Sequence, residues 1–133
     1  MPASLQKNRE ILFYLLYSAD FGGDEEATAL IMQQLTVTRS EVRRAQEQLR
    51  AIREKQSEID QLIKERSKEY DFDRIGRVER TLLRLCSFEL LFSTVPPKVA
   101  IAEAIRLARK FAAPESAAFV NAVLDTIYVN STV

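Results

Sequence analysis

No glycine or proline interrupts the chain between Gly23 and Gly76, and all 133 residues include only three glycines and four prolines. These two residues are the strongest local breakers of regular structure. A chain this poor in them is committed to long unbroken segments. Within those segments apolar residues recur every three and four positions, the spacing of one helix face. The fold class that follows is all-α: a compact bundle of six or seven helices, one domain with an N-terminal subdomain of about residues 1–69 and a C-terminal one of about 70–133. Hydrophobic residues make up 47% of the chain, enough for a real core at this length.

The first helix is expected from about Ser4 to Asp20, with Ser4 as its N-cap and Gly22-Gly23 as its stop. It should bury Leu5, Ile11, Leu12, Leu15 and Leu16. A short second helix is expected from Asp24, Glu25 and Glu26, acids that suit a positive helix terminus, through Leu30, Ile31 and Leu35. Thr38 and Glu41, three apart, form a capping box that opens a long third helix reaching toward Lys68, about 45 Å at 1.5 Å per residue. The stripe of Val42, Ala45, Leu49, Ile52, Ile59, Leu62 and Ile63 is broken at Lys55-Gln56, which predicts a kink or a change of packing partner. The segment "YDFDRIG", residues 70–76, is the internal boundary. Beyond it comes a broadly apolar helix. Pro96-Pro97 and Pro114 then open two more, since proline is welcome in a first turn.

Composition excludes much chemistry. Lysine plus arginine and aspartate plus glutamate stand at 19 each, so no global field draws the chain to nucleic acid or acidic lipid. Histidine is absent and Cys86 is the only cysteine, which removes the histidine-based catalytic triads, histidine-bound metals and any internal disulfide. With Gly22, Gly23 and Gly76 alone, no glycine-rich phosphate cradle can form. The longest apolar run, residues 11–17, is too short to span a bilayer. A cytoplasmic protein without cofactor or metal is expected.

Three blocks in the second half are more particular: "RIGRVERTLLRLCSFELLF", "VPPKVAIAEAIRLARKF" and "ESAAFVNAVLD". In order and without large gaps they resemble the NusB family of bacterial transcription antitermination factors. "NREILFYLLY" in the first helix extends the resemblance weakly, and residues 21–69 carry no such signature. The resemblance implies a two-subdomain helical fold that is not an enzyme. It further implies binding to boxA-type RNA of nascent ribosomal RNA transcripts together with NusE, a small-subunit ribosomal protein, so that the RNA polymerase antitermination complex reads through terminators. The alternative is a helical protein–protein scaffold that retains the NusE partner and has lost RNA binding.

Site residues follow from the same resemblance. Lys7 and Arg9 stand where the family carries a richer basic start, and phosphate contact competes there with a plain solvated helix end. Tyr17 and Phe119 occupy positions of the RNA surface, where aromatic faces stack unpaired bases. Both also fit ordinary core packing. Glu115 and Ser116 open the last helix beside the RNA, and an acid is favoured at such a terminus in any case. Asp73, Glu79 and Arg80 are expected on the surface that meets NusE. Arg77, Arg80 and Arg84 line up as a basic ridge, and Glu89, Glu103 and Asn121 are polar groups in apolar runs, expected to bond between helices. Ala118 and Ala102 replace a lysine and an asparagine common in the family.

Overall fold

Capping geometry explains where the helices start. The computed structural model describes residues 3–20, 33, 36–67 and 70–131. Helix α1 spans Ala3–Ala19 and α2 Arg39–Arg66. A short 3-10 turn, Phe72–Arg74, precedes α3 at Arg77–Phe92, α4 at Pro97–Phe111 and α5 at Pro114–Ser131. Five α-helices and no strand stand among the described residues, one or two helices fewer than the sequence suggests. The short helix expected from Asp24 to Leu35 and the Gly22-Gly23 stop fall on residues outside the described set. No described helix is long and apolar enough to cross a membrane.

The chain packs as two units, Met1–Glu54 and Lys55–Val133. Their division lies inside α2, at the gap in its apolar stripe, while the expected composition boundary near residue 70 marks the passage from α2 to the 3-10 turn.

In the first unit, α1 buries Ile11, Leu12, Phe13, Leu15 and Leu16, and α2 buries Val42, Ala45 and Ile52. Leu5 is 43% exposed, contrary to expectation, because the buried stripe begins only at Arg9, a turn later. Ser4 lies inside α1 rather than capping it, since the helix already starts at Ala3. The capping box at the head of α2 is complete. The Glu41 N–H donates to Thr38 Oγ1 at 3.2 Å, and the Thr38 N–H donates to Glu41 Oε1 at 3.0 Å. Lys7 Nζ adds an ion pair to Glu41 at 3.3 Å and donates to the carbonyl of Thr36 at 3.2 Å.

The second unit is built around α3. Thr81, Leu82, Leu83, Arg84, Leu85, Cys86, Ser87 and Glu89 are all buried, so this helix is covered on nearly every side. Helices α4 and α5 pack on it and on each other. Ala100, Ala104 and Ala108 make the buried face of α4 thin, which lets backbones approach closely. Ile59 and Ile63 of α2 join Leu83, Cys86, Val120, Val123, Leu124 and Ile127 in one core.

The expected basic ridge does not survive as a solvent face. Arg84 has a side chain only 7% exposed and forks onto Asp60, Nε to Oδ1 at 2.8 Å and Nη2 to Oδ2 at 2.9 Å. Arg80 and Arg84 hold their guanidinium carbons 5.5 and 5.7 Å from the Phe72 ring centre, and Lys64 Nζ lies 5.0 Å from it. Desolvation beside a carboxylate and an aromatic face suits arginine better than lysine. Glu103 is buried and accepts from Arg106 of its own helix, at 2.8 and 3.3 Å.

Two outcomes follow. Asp60→Ala leaves a buried guanidinium without its carboxylate and should cost about 3 kcal/mol; the double variant with Arg84→Met should recover most of it, as urea midpoints will show. The Thr38 backbone N–H holds the Glu41 carboxyl below its ordinary value of 4.5, with help from the Thr38 hydroxyl and Lys7 against a smaller desolvation. A depressed folded value means the box stabilises above the unfolded pKa and loses that contribution as pH falls through the folded one. Thr38→Ala should cost about 1 kcal/mol at neutral pH. The Glu41 carboxyl, followed by carbon-detected NMR titration, should stay below its ordinary value in that variant, because alanine keeps the backbone N–H, and move up only by the hydroxyl's smaller share.

Candidate functional site

The turn after α2 decides what reaches the surface of the second unit. Ser67 is buried and donates its hydroxyl and its N–H to the Ile63 carbonyl, at 2.6 and 2.9 Å. The Tyr70 N–H then bonds back to the Ser67 carbonyl at 2.8 Å. Asp71 caps the 3-10 turn by accepting the Asp73 N–H at 3.1 Å. This folded-back segment presents Tyr70 outward, 57% exposed. Its ring meets Phe119 of α5 edge to face, centroids 4.7 Å apart and planes at 76°, within the range of favourable aromatic pairs.

Around that pair lies an open groove of about 610 Å³, lined by Tyr70, Asp71, Arg74, Ile75, Gly76, Glu79, Glu115, Ser116 and Phe119. Pro114 starts α5 and so places Glu115 and Ser116 in its first turn. The Ser116 hydroxyl donates to Glu79 Oε1 of α3. Gly76 lies close to the same carboxylate: a methyl there would clash with Glu79 Oε2. Glu79 is thus held between the start of α3 and the start of α5.

Among the candidates named from sequence, Glu79, Glu115, Ser116 and Phe119 come together at one groove. Ser116, expected on the RNA side, and Glu79, expected on the partner side, share a hydrogen bond. Asp73 is exposed on the neighbouring 3-10 turn. Arg80 is half-buried over Phe72. Lys7, Arg9 and Tyr17 lie on α1, in the first unit. Lys7 is engaged by Glu41, Arg9 is only 6% exposed, and Tyr17 stacks on Phe13 with centroids 6.0 Å apart. Tyr70 and Arg74 were not singled out from sequence. The available signal was a pair of aromatics, Tyr70 and Phe72, in an otherwise charged boundary, "KEYDFDR".

Comparison with known proteins gives a consistent answer. The NusB family model matches residues 6–129. A transcription antitermination protein NusB of Chlamydia pneumoniae is 37% identical over 132 residues, 96% of this chain and 81% of that protein. The NusB of Geobacter sulfurreducens is 37% identical over 126 residues, 90% of this chain and 89% of the relative. Among solved structures, a complex of antitermination factors NusB and NusE with double-stranded RNA contains a chain that superposes with a TM-score of 0.83 at 27% identity, covering 98% of this chain and 99% of that one.

Gly76→Ala tests how Glu79 is held. Gly76 has a φ of −57°, so alanine is unstrained there, and the added methyl meets only the end of a flexible side chain. We expect a stability loss of about 0.5–1.5 kcal/mol in a thermal melt. The Ser116 and Glu79 resonances should shift together as their hydrogen bond breaks. Shifts confined to residue 76 and its chain neighbours would contradict this.

Proposed function

The chain belongs to the NusB family, and from that premise we propose that it acts as a transcription antitermination factor: with NusE it binds boxA-type RNA of nascent ribosomal RNA transcripts and helps RNA polymerase read through. It does this as a cytoplasmic, non-enzymatic adaptor of six or seven helices in two subdomains. The observation that carries the reading is the convergence of Tyr70, Glu79, Glu115, Ser116 and Phe119, from three separate stretches of sequence, on one groove where an exposed Tyr70 meets a half-buried Phe119.

Such a pair suits unpaired bases, which are held by stacking on aromatic faces. Glu115 repels phosphate but accepts from base amino groups, so it serves selection and not affinity. In this reading Phe119, Glu115 and Ser116 contact RNA from the second unit, and Lys7, Arg9 and Tyr17 from the first. Asp73, Glu79 and Arg80 meet NusE, a basic partner for the two carboxylates. The alternative, a scaffold that kept NusE and lost RNA binding, finds no observation in its favour.

Phosphate affinity should be modest. With Lys7 paired and Arg9 buried, few cations on α1 are available for counterion release, which on single strands lowers log affinity by about 0.7 per neutralised phosphate per log unit of salt. Fluorescence-anisotropy titrations over a range of salt, on a single-stranded boxA RNA and its duplex, with and without NusE, check the whole proposal. The protein alone should bind weakly with a log–log slope of about 1, and NusE should supply most of the affinity. Phe119→Ala should weaken the ternary complex by about 1–3 kcal/mol. Failure to bind NusE at micromolar concentration would end this reading.

A further inference from the structure

A second groove, of about 750 Å³, shares Tyr70, Glu115 and Phe119 with the first and continues along α5 to the end of α2. The aromatic pair is therefore a wall common to both. Ala118, Ala122 and Val123 line the groove, a flat apolar surface at small side chains. Its volume lies within the ~300–1,000 Å³ typical of ligand sites.

The polar inventory is unusual. The Ser67 and Thr126 hydroxyls have already given their protons to the carbonyls of Ile63 and Ala122. Arg66 lines the groove with its Nε shielded from solvent and bonded to nothing among the described residues. Glu65 and Glu115 add two carboxylates. Two acids against one base repel a phosphate, so a nucleic-acid backbone is disfavoured here. A base is not, because its edges are neutral.

Which base fits follows from its edge. Guanine presents two adjacent acceptors, O6 and N7, on an edge remote from its sugar, and these match the paired N–H groups of one guanidinium edge. Adenine places an amino donor next to N7, where the second N–H finds no partner, and cytosine's acceptor pair, N3 and O2, lies on the side of its sugar, so a base entering the groove edge-first offers it poorly. Building on the RNA-binding reading above, we propose that this groove receives one unstacked guanine of the bound strand, seated on Ala118 and Ala122 against the Tyr70–Phe119 wall, with Arg66 donating to O6 and N7. Arg66 is then a specificity residue and not a phosphate contact.

The test uses the full chain with NusE and a short fluorescein-labelled uridine oligomer carrying one central guanosine, adenosine, cytidine or uridine. The guanosine oligomer should bind about tenfold tighter than the other three. Arg66→Gln should erase that preference while leaving the uridine oligomer's affinity unchanged. Replacing guanosine with 7-deazaguanosine, which lacks N7, should lower the preference on wild-type protein, independently of how any variant folds. Binding of all four oligomers with equal affinity, or an equal loss for all four in Arg66→Gln, overturns the proposal. Absence of binding to any oligomer would instead sink the RNA-binding reading itself, and this inference with it.

Discussion

Arg84 carries a charge into a helix that is covered on almost every side, and the organisation of the second unit depends on how that charge is met. Burying a guanidinium away from a counter-charge costs several kcal/mol, so the packing of α3 is favoured by a carboxylate placed beside it. Asp60 supplies it, in the two-bond fork that fixes direction as well as distance. The fork sets the register of α2 against α3. It also places Arg84 where, with Arg80 and Lys64, it surrounds the Phe72 ring. A single ring held by three cations anchors the 3-10 turn to the helices behind it.

The candidate site inherits its geometry from that anchor. Tyr70 lies two residues before Phe72, between the Ser67 turn and the Asp71 cap, and each end of that interval is hydrogen-bonded. Its ring therefore stays at the surface instead of collapsing into the core, and α5 offers Phe119 as its neighbour. The same end of the unit carries the Ser116–Glu79 bond between the first turns of α5 and α3. An aromatic platform with its polar frame thus forms where three helix ends and one short turn meet. Positions on loops held by rigid elements are where binding residues commonly concentrate.

Much of the fold was legible because local signals agreed with packing. Thr38 and Glu41 announced the start of α2, Pro97 and Pro114 the starts of α4 and α5, and the gap at Lys55-Gln56 the place where the stripe changes its unit. The failures have physical causes. Burial of Leu5 was misjudged because periodicity shows which face is apolar but not how far the neighbouring core extends. Arg77, Arg80 and Arg84 looked like one exposed ridge because Asp60 and Phe72, which take up two of the three, are distant in sequence. Tyr70 escaped notice since a boundary segment has no periodicity to interpret. Grouping Glu79 with Ser116 needed the approach of α3 to α5, which no spacing encodes. The family resemblance could nominate Glu79 and Ser116, but not show that they touch.

Neutral composition raises a problem for any nucleic-acid role, and the structure shows how it is distributed. The 19 basic residues balance the acids overall, yet several are already paired within the chain: Lys7 with Glu41 at the surface, Arg106 with Glu103, and Arg84, which is buried, with Asp60. Cations used this way contribute little to counterion release, the term that dominates non-specific affinity. What lines the grooves is of another kind, an exposed Tyr70 against a half-buried Phe119, with carboxylates and Arg66, whose shielded Nε has no partner among the described residues, beside them. Stacking and edge contacts depend on which base is present, whereas phosphate contacts do not. On the proposed reading, a surface so arranged would be poor at holding RNA indiscriminately and suited to selecting it once a basic partner has supplied the attraction. The division of labour between the two proteins would then be a consequence of where this chain spends its own charges.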